Sequence, residues 1–376
     1  MISTKIDYLS GNIAIAEAAL TVGLRFFAGY PITPSSDIFE YLAEKLPERG
    51  GYVIQFEDEI ASIAAVIGAS WTCNKAMTAT SGPGFSLMVE GISIAVMTET
   101  PLVIGYIMRT GPATGVPTKT GQYDVLQAEY GFHGGLPIPV FSPSSPQEAY
   151  DLTIKAFNIS EALRTPVVLL SDATLAGTYG KVVMRESTEI EILERRKLSR
   201  DNHYMYSSKD LVPPMPCIGE GLKLYVETLT HDERNIYVPT TEVQRRLVSR
   251  LYRKIIDNIG MITEYSLYKY GNNRCDLILI SYGSSALSAS VASKLLNERG
   301  YRTCLLKIKS LYPINEILLK NLTEEASKIF VVENNVGLYY REIRGVLKDK
   351  DVRNISIIDL HIIDPYEIIE EVLRNL

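Results

Sequence analysis

The chain has 376 residues, of which 46% are hydrophobic and 22% charged, with a formal net charge of −6 at pH 7 and a sequence pI near 5.5. The acidic balance argues against nucleic acid as the main partner, because phosphate binding requires a basic face, and no run approaches the ~20 apolar residues of a membrane span. The length suggests about two domains, and the first residues lack the layout of a secretory signal, so a cytoplasmic protein is expected.

Residues 11 to about 180 alternate short apolar runs with helical periods. Apolar runs of about 4–8 residues separated by helices are typical of a parallel sheet with crossover helices. The pattern predicts an α/β domain whose sheet has helices on both faces. The predicted strands are residues 24–28, 52–56, 76–80, 102–108, 138–141 and 166–170, and the predicted helices are residues 11–23, 36–45, 59–71, 85–98 and one that begins near Ser145.

The rest of the chain changes character twice. Residues 181–262 are charge-dense and partly proline-rich, and only residues 240–259 show a long helical period, so this stretch is predicted to be an irregular connector. The alternation then returns, which predicts a second α/β domain over residues 263–376. Its predicted strands are residues 276–281, 303–307, 329–333 and 355–360, and its first predicted helix is residues 286–299.

Cysteine and histidine are too scattered to predict a metal site. The four cysteines form no pair at the close spacing that zinc and iron–sulfur ligands show, so four reduced, structural thiols are expected. The four histidines are equally dispersed, and the chain is expected to hold no metal of its own. The residues are Cys73, Cys217, Cys275, Cys304, His133, His203, His231 and His361.

Four unusual stretches each follow a predicted strand. They are residues 30–36 (YPITPSS), 57–59 (EDE), 81–84 (SGPG) and 109–112 (RTGP). In an open α/β sheet the carboxyl ends of the strands form the ligand crevice. The four stretches therefore predict a site on one rim that offers a hydroxyl, carboxylates, close backbone approach and a guanidinium.

The acids at residues 57–59 open a predicted helix, and two interpretations stay open. Acidic side chains at a helix N-terminus are stabilised by the helix dipole, by about 0.3–1 kcal/mol each. Alternatively, one carboxyl lies in an apolar crevice, where burial raises its pKa and suits it to proton transfer. Glu59 is the best candidate for the second role, because it is closest to the apolar face of the helix.

The other stretches also have structural alternatives. Arg109 ends an apolar strand, where a guanidinium is costly unless it pairs with an internal acid or an anionic ligand. Thr33 offers a hydroxyl on a loop stiffened by two prolines, which is otherwise a rigid turn. Residues 81–84 lack the Lys-Ser/Thr of a P-loop, so they form either a tight turn or a place where backbone approaches a flat ring.

The chain resembles the alpha subunit of 2-oxoacid:ferredoxin oxidoreductases of the 2-oxoglutarate type, which depend on thiamine diphosphate. The resemblance covers nearly the whole chain, with small departures at Gly135 and Leu338. It is carried by residues 26–36 (FFAGYPITPSS), 57–70 (EDEIASIAAVIGAS), 75–88 (KAMTATSGPGFSLM) and 109–118 (RTGPATGVPT), more weakly by 212–221 and 230–233, and it extends to 281–284 (SYGS) and 331–335 (VVENN).

The resemblance implies both a fold and a reaction. Residues 1–180 would form a pyrimidine-binding domain for thiamine diphosphate, residues 181–262 the connector, and residues 263–376 a transketolase-C-terminal-like domain. The reaction would be the oxidative decarboxylation of a 2-oxoacid, with 2-oxoglutarate favoured, to acyl-coenzyme A, carbon dioxide and reduced ferredoxin.

The resemblance also implies roles for individual residues. Glu59 would hydrogen-bond the aminopyrimidine ring of the cofactor and promote loss of the thiazolium proton. Thr33 and Arg109 would bind the carboxylate and oxo group of the substrate. The remaining cofactor-binding residues that it implies are Tyr30, Pro31, Ile32, Ser81 and Gly82.

Half of such a site is missing from this sequence. The chain has no Gly-Asp-Gly followed by a downstream Asn, the motif that holds Mg²⁺ and diphosphate in this enzyme class, and no cluster-binding cysteines. The resemblance places the Mg²⁺ site and a [4Fe-4S] cluster on a beta subunit. The expected assembly is a heterodimer of heterodimers, inactive without the partner chain.

Three other functions remain open from the sequence. The chain could be a non-catalytic, paralogous binding or regulatory subunit, although Thr33, Glu59 and Arg109 are all present, which argues against loss of the chemistry. It could be a transketolase-like or synthase-like enzyme that works without ferredoxin. Within the family, a branched-chain or aromatic 2-oxoacid could replace 2-oxoglutarate as the substrate.

Overall fold

The fold is described from a computed structural model. The structure describes residues 5–185, 187–198, 210–222, 224–270 and 274–376. Part of the predicted irregular connector, including His203, lies outside these ranges. None of the helices in these ranges has the length and apolar content that a bilayer span requires.

The first half of the chain alternates strands and helices as the sequence predicts. The bounds are β1 (Lys5–Ser10), α1 (Gly11–Thr21), β2 (Phe26–Gly29), α2 (Ser36–Glu48), β3 (Tyr52–Gln55), α3 (Glu59–Trp71), β4 (Ala76–Thr80), α4 (Pro83–Met97), β5 (Leu102–Met108), α5 (Val125–Tyr130), β6 (Val140–Phe141), α6 (Pro146–Leu163), β7 (Pro166–Asp172), α7 (Ala173–Gly177) and β8 (Tyr179–Met184).

The second half has a short 3₁₀ turn at Ser187–Glu189 and then a second alternation. Its elements are α8 (Thr241–Ile256), α9 (Ile259–Ile262), β9 (Tyr265–Lys269), β10 (Leu277–Ser281), α10 (Ser285–Glu298), β11 (Thr303–Ile308), β12 (Ser310–Tyr312), α11 (Glu316–Leu322), β13 (Lys328–Glu333), α12 (Leu338–Val346), β14 (Val352–Ser356) and α13 (Pro365–Arg374).

The larger sheet of the described chain has seven strands in the order β12-β6-β7-β5-β4-β2-β3, and all of its pairings are parallel except that of β12 with β6. Strand β5 is buried on both faces: Ile104 and Tyr106 contact the cluster with α3 and α4, while Val103 and Ile107 contact the cluster with α1 and α6. Helices on both faces of a mostly parallel sheet confirm the predicted fold class.

A smaller sheet of five strands, in the order β14-β13-β10-β11-β9, forms from the second half of the chain. One face packs on α10 and α13. The other face supplies Ile278, Leu306 and Val331 to the same apolar cluster that contains Ile104 of the first sheet. The two sheets therefore share one continuous core.

Five strands were not predicted or were misplaced. Strands β1 and β8 pair antiparallel as a separate two-stranded sheet, and β9 adds an antiparallel edge to β11. Strand β12 leaves the second half of the chain and pairs with β6 of the first sheet. The predicted strand at 355–360 is instead β14, which ends at Ser356. These strands form because they pair with strands distant in the sequence, and local hydrophobic periodicity does not predict such pairing.

Helix α8 is attached to the first sheet through a buried acid. The side chain of Glu99 is fully buried and accepts hydrogen bonds from Lys254 Nζ at 2.8 Å and Arg250 Nη1 at 2.9 Å. Burial acts to raise the pKa of Glu99, but the positive charges of Arg250 and Lys254 have the larger effect and hold that pKa well below its usual range. Burial lowers the pKa of Lys254 to about 8. The only long helix predicted in the connector is thus fixed by an ion-pair network.

The expected reduced thiols were wrong, since all four cysteines form disulfides. Cys73 pairs with Cys217 at a Cα–Cα distance of 5.3 Å, and Cys275 pairs with Cys304 at 5.5 Å. The partners are separated by 144 and 29 residues, so only the folded chain brings them together. Spacing along the sequence, which argued against a metal site, carries no information on such long-range pairs.

The disulfides can be checked chemically. Alkylation of the protein unfolded without reductant is expected to leave Cys73, Cys217, Cys275 and Cys304 unlabelled, and prior reduction is expected to expose all four, as counted by mass spectrometry. Reduction should also lower the thermal midpoint, because each cross-link typically contributes about 2–4 kcal/mol to stability. Labelling of any of the four thiols before reduction would contradict the pairing.

Candidate active site

The three acids that open α3 have three different environments. Asp58 caps the helix, with its side chain accepting a hydrogen bond from Ala61 N at 2.8 Å. Glu57 is exposed. Glu59 turns inward and is only 3% exposed. The two interpretations of this stretch therefore apply to different residues, one acid serving the helix and another pointing into the protein.

The carboxyl of Glu59 lies against β4 and the start of α4. The hydroxyl of Thr80 donates to Glu59 Oε1 at 3.2 Å. A Cβ atom built on Gly84 would overlap with Glu59 Oε1 and with Thr80 Oγ1. Burial raises the pKa of Glu59, reinforced by the charge of Asp58 and opposed by hydrogen bonds from the backbone and Thr80. A buried carboxyl with a raised pKa is suited to exchanging a proton.

The SGPG stretch forms the turn between β4 and α4. Gly82 has φ +38°, a value that favours glycine, and Gly84 N donates to Ser81 O at 2.9 Å. Ser81 is fully buried, and its hydroxyl has no hydrogen-bond partner among the described residues. The turn thus presents backbone and one buried hydroxyl, with little side chain to block an approaching molecule.

Arg109 follows β5 on the other side of this turn. Its side chain is 6% exposed, and Nη1 donates to Thr33 O at 2.8 Å. Its Nε is buried, lies 3.6 Å from a Cβ built on Gly82, and has no hydrogen-bond partner in the described part of the chain. A buried guanidinium with unsatisfied donors is costly, which favours the anionic-ligand interpretation over an internal acid.

The YPITP loop contacts Arg109 through its backbone. Tyr30, Pro31 and Thr33 are exposed and Ile32 is half-buried, while Ser35 N and Oγ both donate to Ile32 O at 2.8 Å. The carbonyl of Thr33, and not its hydroxyl, is the atom that contacts Arg109. The Thr33 hydroxyl remains a prediction as a substrate contact.

A cavity of about 440 Å³ opens beside Arg109 and the SGPG turn. Its far wall includes Asp124. Burial raises the pKa of Asp124 to about 6, although the hydrogen bond of Tyr106 and the charge of Arg109 act to lower it. Gln127 also lines the cavity. It accepts a hydrogen bond from Tyr106 Oη at 2.8 Å and donates one to Ser86 Oγ at 2.7 Å. These residues were not singled out from the sequence, since α5 is a short helix without a motif.

Gln122 connects this site to the second sheet. It ends the loop that begins at Arg109, and its Nε2 donates to Tyr282 O at 3.0 Å. Its Oε1 accepts from Ser285 Oγ at 2.7 Å and Asn334 N at 3.0 Å. The SYGS and VVENN stretches of the second half therefore support the active-site loop.

The geometry brings together most of the predicted residues. Glu59 and Arg109 lie on two sides of the SGPG turn, and Thr33 contacts Arg109 through its backbone. Such a site can exchange a proton at a buried carboxyl and bind an anion at a guanidinium, both beside a turn with small side chains. The described residues contain no group of three or more His, Cys, Asp or Glu that could hold a metal ion.

Comparison with known proteins gives matches over most of the chain. Residues 17–249 match a family model described as pyruvate flavodoxin/ferredoxin oxidoreductase, thiamine diphosphate-binding, and residues 275–361 match pyruvate:ferredoxin oxidoreductase core domain II. The chain is 43% identical to 2-oxoglutarate synthase subunit KorA from Methanocaldococcus jannaschii over 346 residues, which cover 92% of each chain.

Solved structures agree on the fold. The 2-oxoglutarate:ferredoxin oxidoreductase from Magnetococcus marinus, solved with 2-oxoglutarate, coenzyme A and succinyl-CoA bound, superposes with a TM-score of 0.93 at 28% identity; the match covers 99% of this chain but only 65% of that one. A split-gene transketolase in an inactive beta4 tetramer superposes with a TM-score of 0.58 at 13% identity, over 97% of each chain, and shows the fold alone.

Proposed function

The chain belongs to the 2-oxoacid:ferredoxin oxidoreductase family, and from this premise we propose that it is the alpha-type subunit of such an enzyme. The reaction is the oxidative decarboxylation of a 2-oxoacid to acyl-coenzyme A, carbon dioxide and reduced ferredoxin, and 2-oxoglutarate is the favoured substrate. Residues 1–180 serve as the pyrimidine-binding domain, and residues 263–376 as the transketolase-C-terminal-like domain.

One observation carries the proposal. A buried carboxyl and a buried guanidinium with an open donor flank a turn that lacks side chains at Gly82 and Gly84. Tight turns alone need neither charged group, and burying both without a ligand would cost free energy. The pair suits an anionic substrate that reacts next to a flat, proton-exchanging ring.

The residues present fit thiamine diphosphate. Glycine at position 84 leaves room for the side chains of Glu59 and Thr80, since a Cβ atom there would overlap with both, and the buried hydroxyl of Ser81 has no partner among the described residues. Glu59, Ser81 and Gly82 would hold the aminopyrimidine end, together with Tyr30, Pro31 and Ile32 of the exposed loop. When bound, the cofactor supplies the nucleophilic carbon and the electron sink for decarboxylation.

The chain's own residues then have distinct tasks. With the cofactor bound, Glu59 would hold a proton at its carboxyl and exchange it with the aminopyrimidine ring, and its burial would keep water from competing for that proton. Arg109 binds the substrate carboxylate through the donors that Thr33 O leaves open, since a guanidinium presents more than one N–H to an anion. Thr33 adds a hydroxyl for the oxo group.

A partner subunit completes this site in the proposal. Large apolar side chains are exposed after β2, along β3 and near the starts of α3 and α4, and exposed apolar patches mark protein contacts. The beta subunit would cover them and carry Mg²⁺ and the [4Fe-4S] cluster, in a cytoplasmic heterodimer of heterodimers. The exposed residues are Tyr30 at 40%, Tyr52 at 71%, Ile54 at 41%, Ile60 at 55% and Leu87 at 46%.

The test is a purification of the tagged chain from native lysate, followed by a 2-oxoacid-dependent dye-reduction assay with coenzyme A. The chain alone is expected to be inactive, and the recovered complex is expected to reduce the dye with 2-oxoglutarate. Activity confined to branched-chain or aromatic 2-oxoacids would correct the substrate. A complex with bound thiamine diphosphate and no activity on any 2-oxoacid would favour the non-catalytic subunit.

A further inference from the structure

The contact between Thr80 and Glu59 joins two fully or nearly fully buried side chains from different elements. Thr80 is the last residue of β4 and is 0% exposed, and Glu59 is the first residue of α3 and is 3% exposed. The hydroxyl donates to only one of the two carboxyl oxygens, Oε1, at 3.2 Å.

The start of α4 closes the third side of this contact. Any Cβ atom at position 84 would overlap with Thr80 Oγ1 and with Glu59 Oε1. The carboxyl, the hydroxyl and the glycine thus meet at one point, where three elements converge.

We propose that Thr80 is a positioning residue, whose hydroxyl fixes the orientation of the Glu59 carboxyl and sets how tightly that carboxyl holds a proton. A hydroxyl suits this task because it can donate to the carboxylate and rotate to accept from the protonated acid. The inference rests on the proposed function of Glu59 and assigns a role to a residue beyond those of the proposed mechanism.

The other charged groups around Glu59 cannot replace this contact. Asp58 neighbours it on α3, but its carboxylate is engaged in capping the helix and, as a like charge, it raises the pKa of Glu59. Arg109 lies across the SGPG turn and donates to Thr33 O. Among the described residues, Thr80 is therefore the side chain whose hydrogen bond stabilises the charged form of Glu59, beside a hydrogen bond from the backbone of Glu59 itself.

The test compares Thr80→Val and Thr80→Ala with Thr80→Ser and with Thr78→Val as a matched control. Thr78 lies on the same strand two residues earlier, is also 0% exposed, and its hydroxyl has no partner among the described residues. Thr78→Val therefore removes a buried threonine hydroxyl from β4 without touching Glu59.

The first readout does not depend on turnover. In the assembled, cofactor-free complex labelled with ¹³C at the glutamate δ-carbon, the signal lost in Glu59→Gln identifies Glu59, and its pKa is read by NMR titration. Loss of a donor to the charged form raises a carboxyl pKa, so Thr80→Val and Thr80→Ala are expected to raise the pKa of Glu59 by about one unit. Thr80→Ser and Thr78→Val should leave it near the wild-type value.

The second readout is the pH dependence of kcat/KM in the loaded enzyme, whose acidic limb should move to higher pH in Thr80→Val and Thr80→Ala only. A wild-type titration in both variants would overturn the proposal, and so would an equal shift in Thr78→Val, because the effect would then be a general one of the strand. Near-normal turnover of Glu59→Gln would contradict the proposed function. The NMR titration would still test the role of Thr80 in that case.

Discussion

Exchange of Glu59 for Gln in the assembled complex is expected to lower kcat by about 10²–10⁴-fold, the usual range for loss of a group that transfers a proton. Glutamine preserves the size of the side chain, and its amide oxygen can still accept from Thr80, so the site keeps its shape. What it loses is the ability to take and return a proton, which the burial of Glu59 and its raised pKa make possible.

Glu57→Gln is the matched control for this experiment. It makes the same chemical change two residues earlier in the same acidic stretch, but Glu57 is exposed, so turnover should stay within about twofold, since surface substitutions have small effects. Near-normal turnover of Glu59→Gln, with bound cofactor verified in the same sample, would refute the proton-transfer role. Equal losses in both variants would point to the stretch as a whole.

Replacement of Arg109 by Lys should chiefly raise KM for the 2-oxoacid, by roughly 10–100-fold. Lysine keeps the positive charge but loses the planar fork of N–H donors. A hydrogen bond to a charged group is worth about 1.5–3 kcal/mol, and each 1.4 kcal/mol corresponds to about tenfold in affinity. The open Nε of Arg109 is the donor that a lysine cannot supply.

The measurement is a steady-state titration of the 2-oxoacid, with Arg353→Lys as control. Arg353 forms an ion pair with Asp351 on the exposed side of the second sheet, so its exchange should leave KM and kcat unchanged. If Arg109→Lys also left both constants unchanged, the guanidinium would have no role in substrate binding. A fall in kcat without a change in KM would assign Arg109 to the reaction step instead.

The parts of the fold that the sequence predicts best are those with strong local signals. The bounds of α3, β4 and β5 agree with the prediction residue for residue, because each is a clear apolar run or amphipathic period between capping or turn residues. Strands β1, β8 and β12 have no such signal and exist through their partners, as do the two disulfides.

The residues of the candidate site likewise divide into those with a local sequence signal and those that depend on distant partners. Glu59 and Arg109 stand out in the sequence because charged residues bordering apolar elements need a reason, and the structure brings both to the SGPG turn. Thr80 and Gln122 do not stand out, since a threonine ending a strand and a glutamine in a loop are ordinary. Their importance comes from Glu59 and Asn334, which are 21 and 212 residues away along the chain.

Strand β12 belongs to the second half of the chain but pairs with β6 in the sheet of the first half. The two halves are therefore difficult to produce as separate proteins. A fragment that stops before Ser310 would leave β6 as an open edge, and unpaired edges recruit strands from other molecules and aggregate. Separately produced halves are thus expected to be poorly soluble on their own and to recover only when co-expressed. Proteolytic nicks in the connector, by contrast, should be tolerated as long as the pieces stay together.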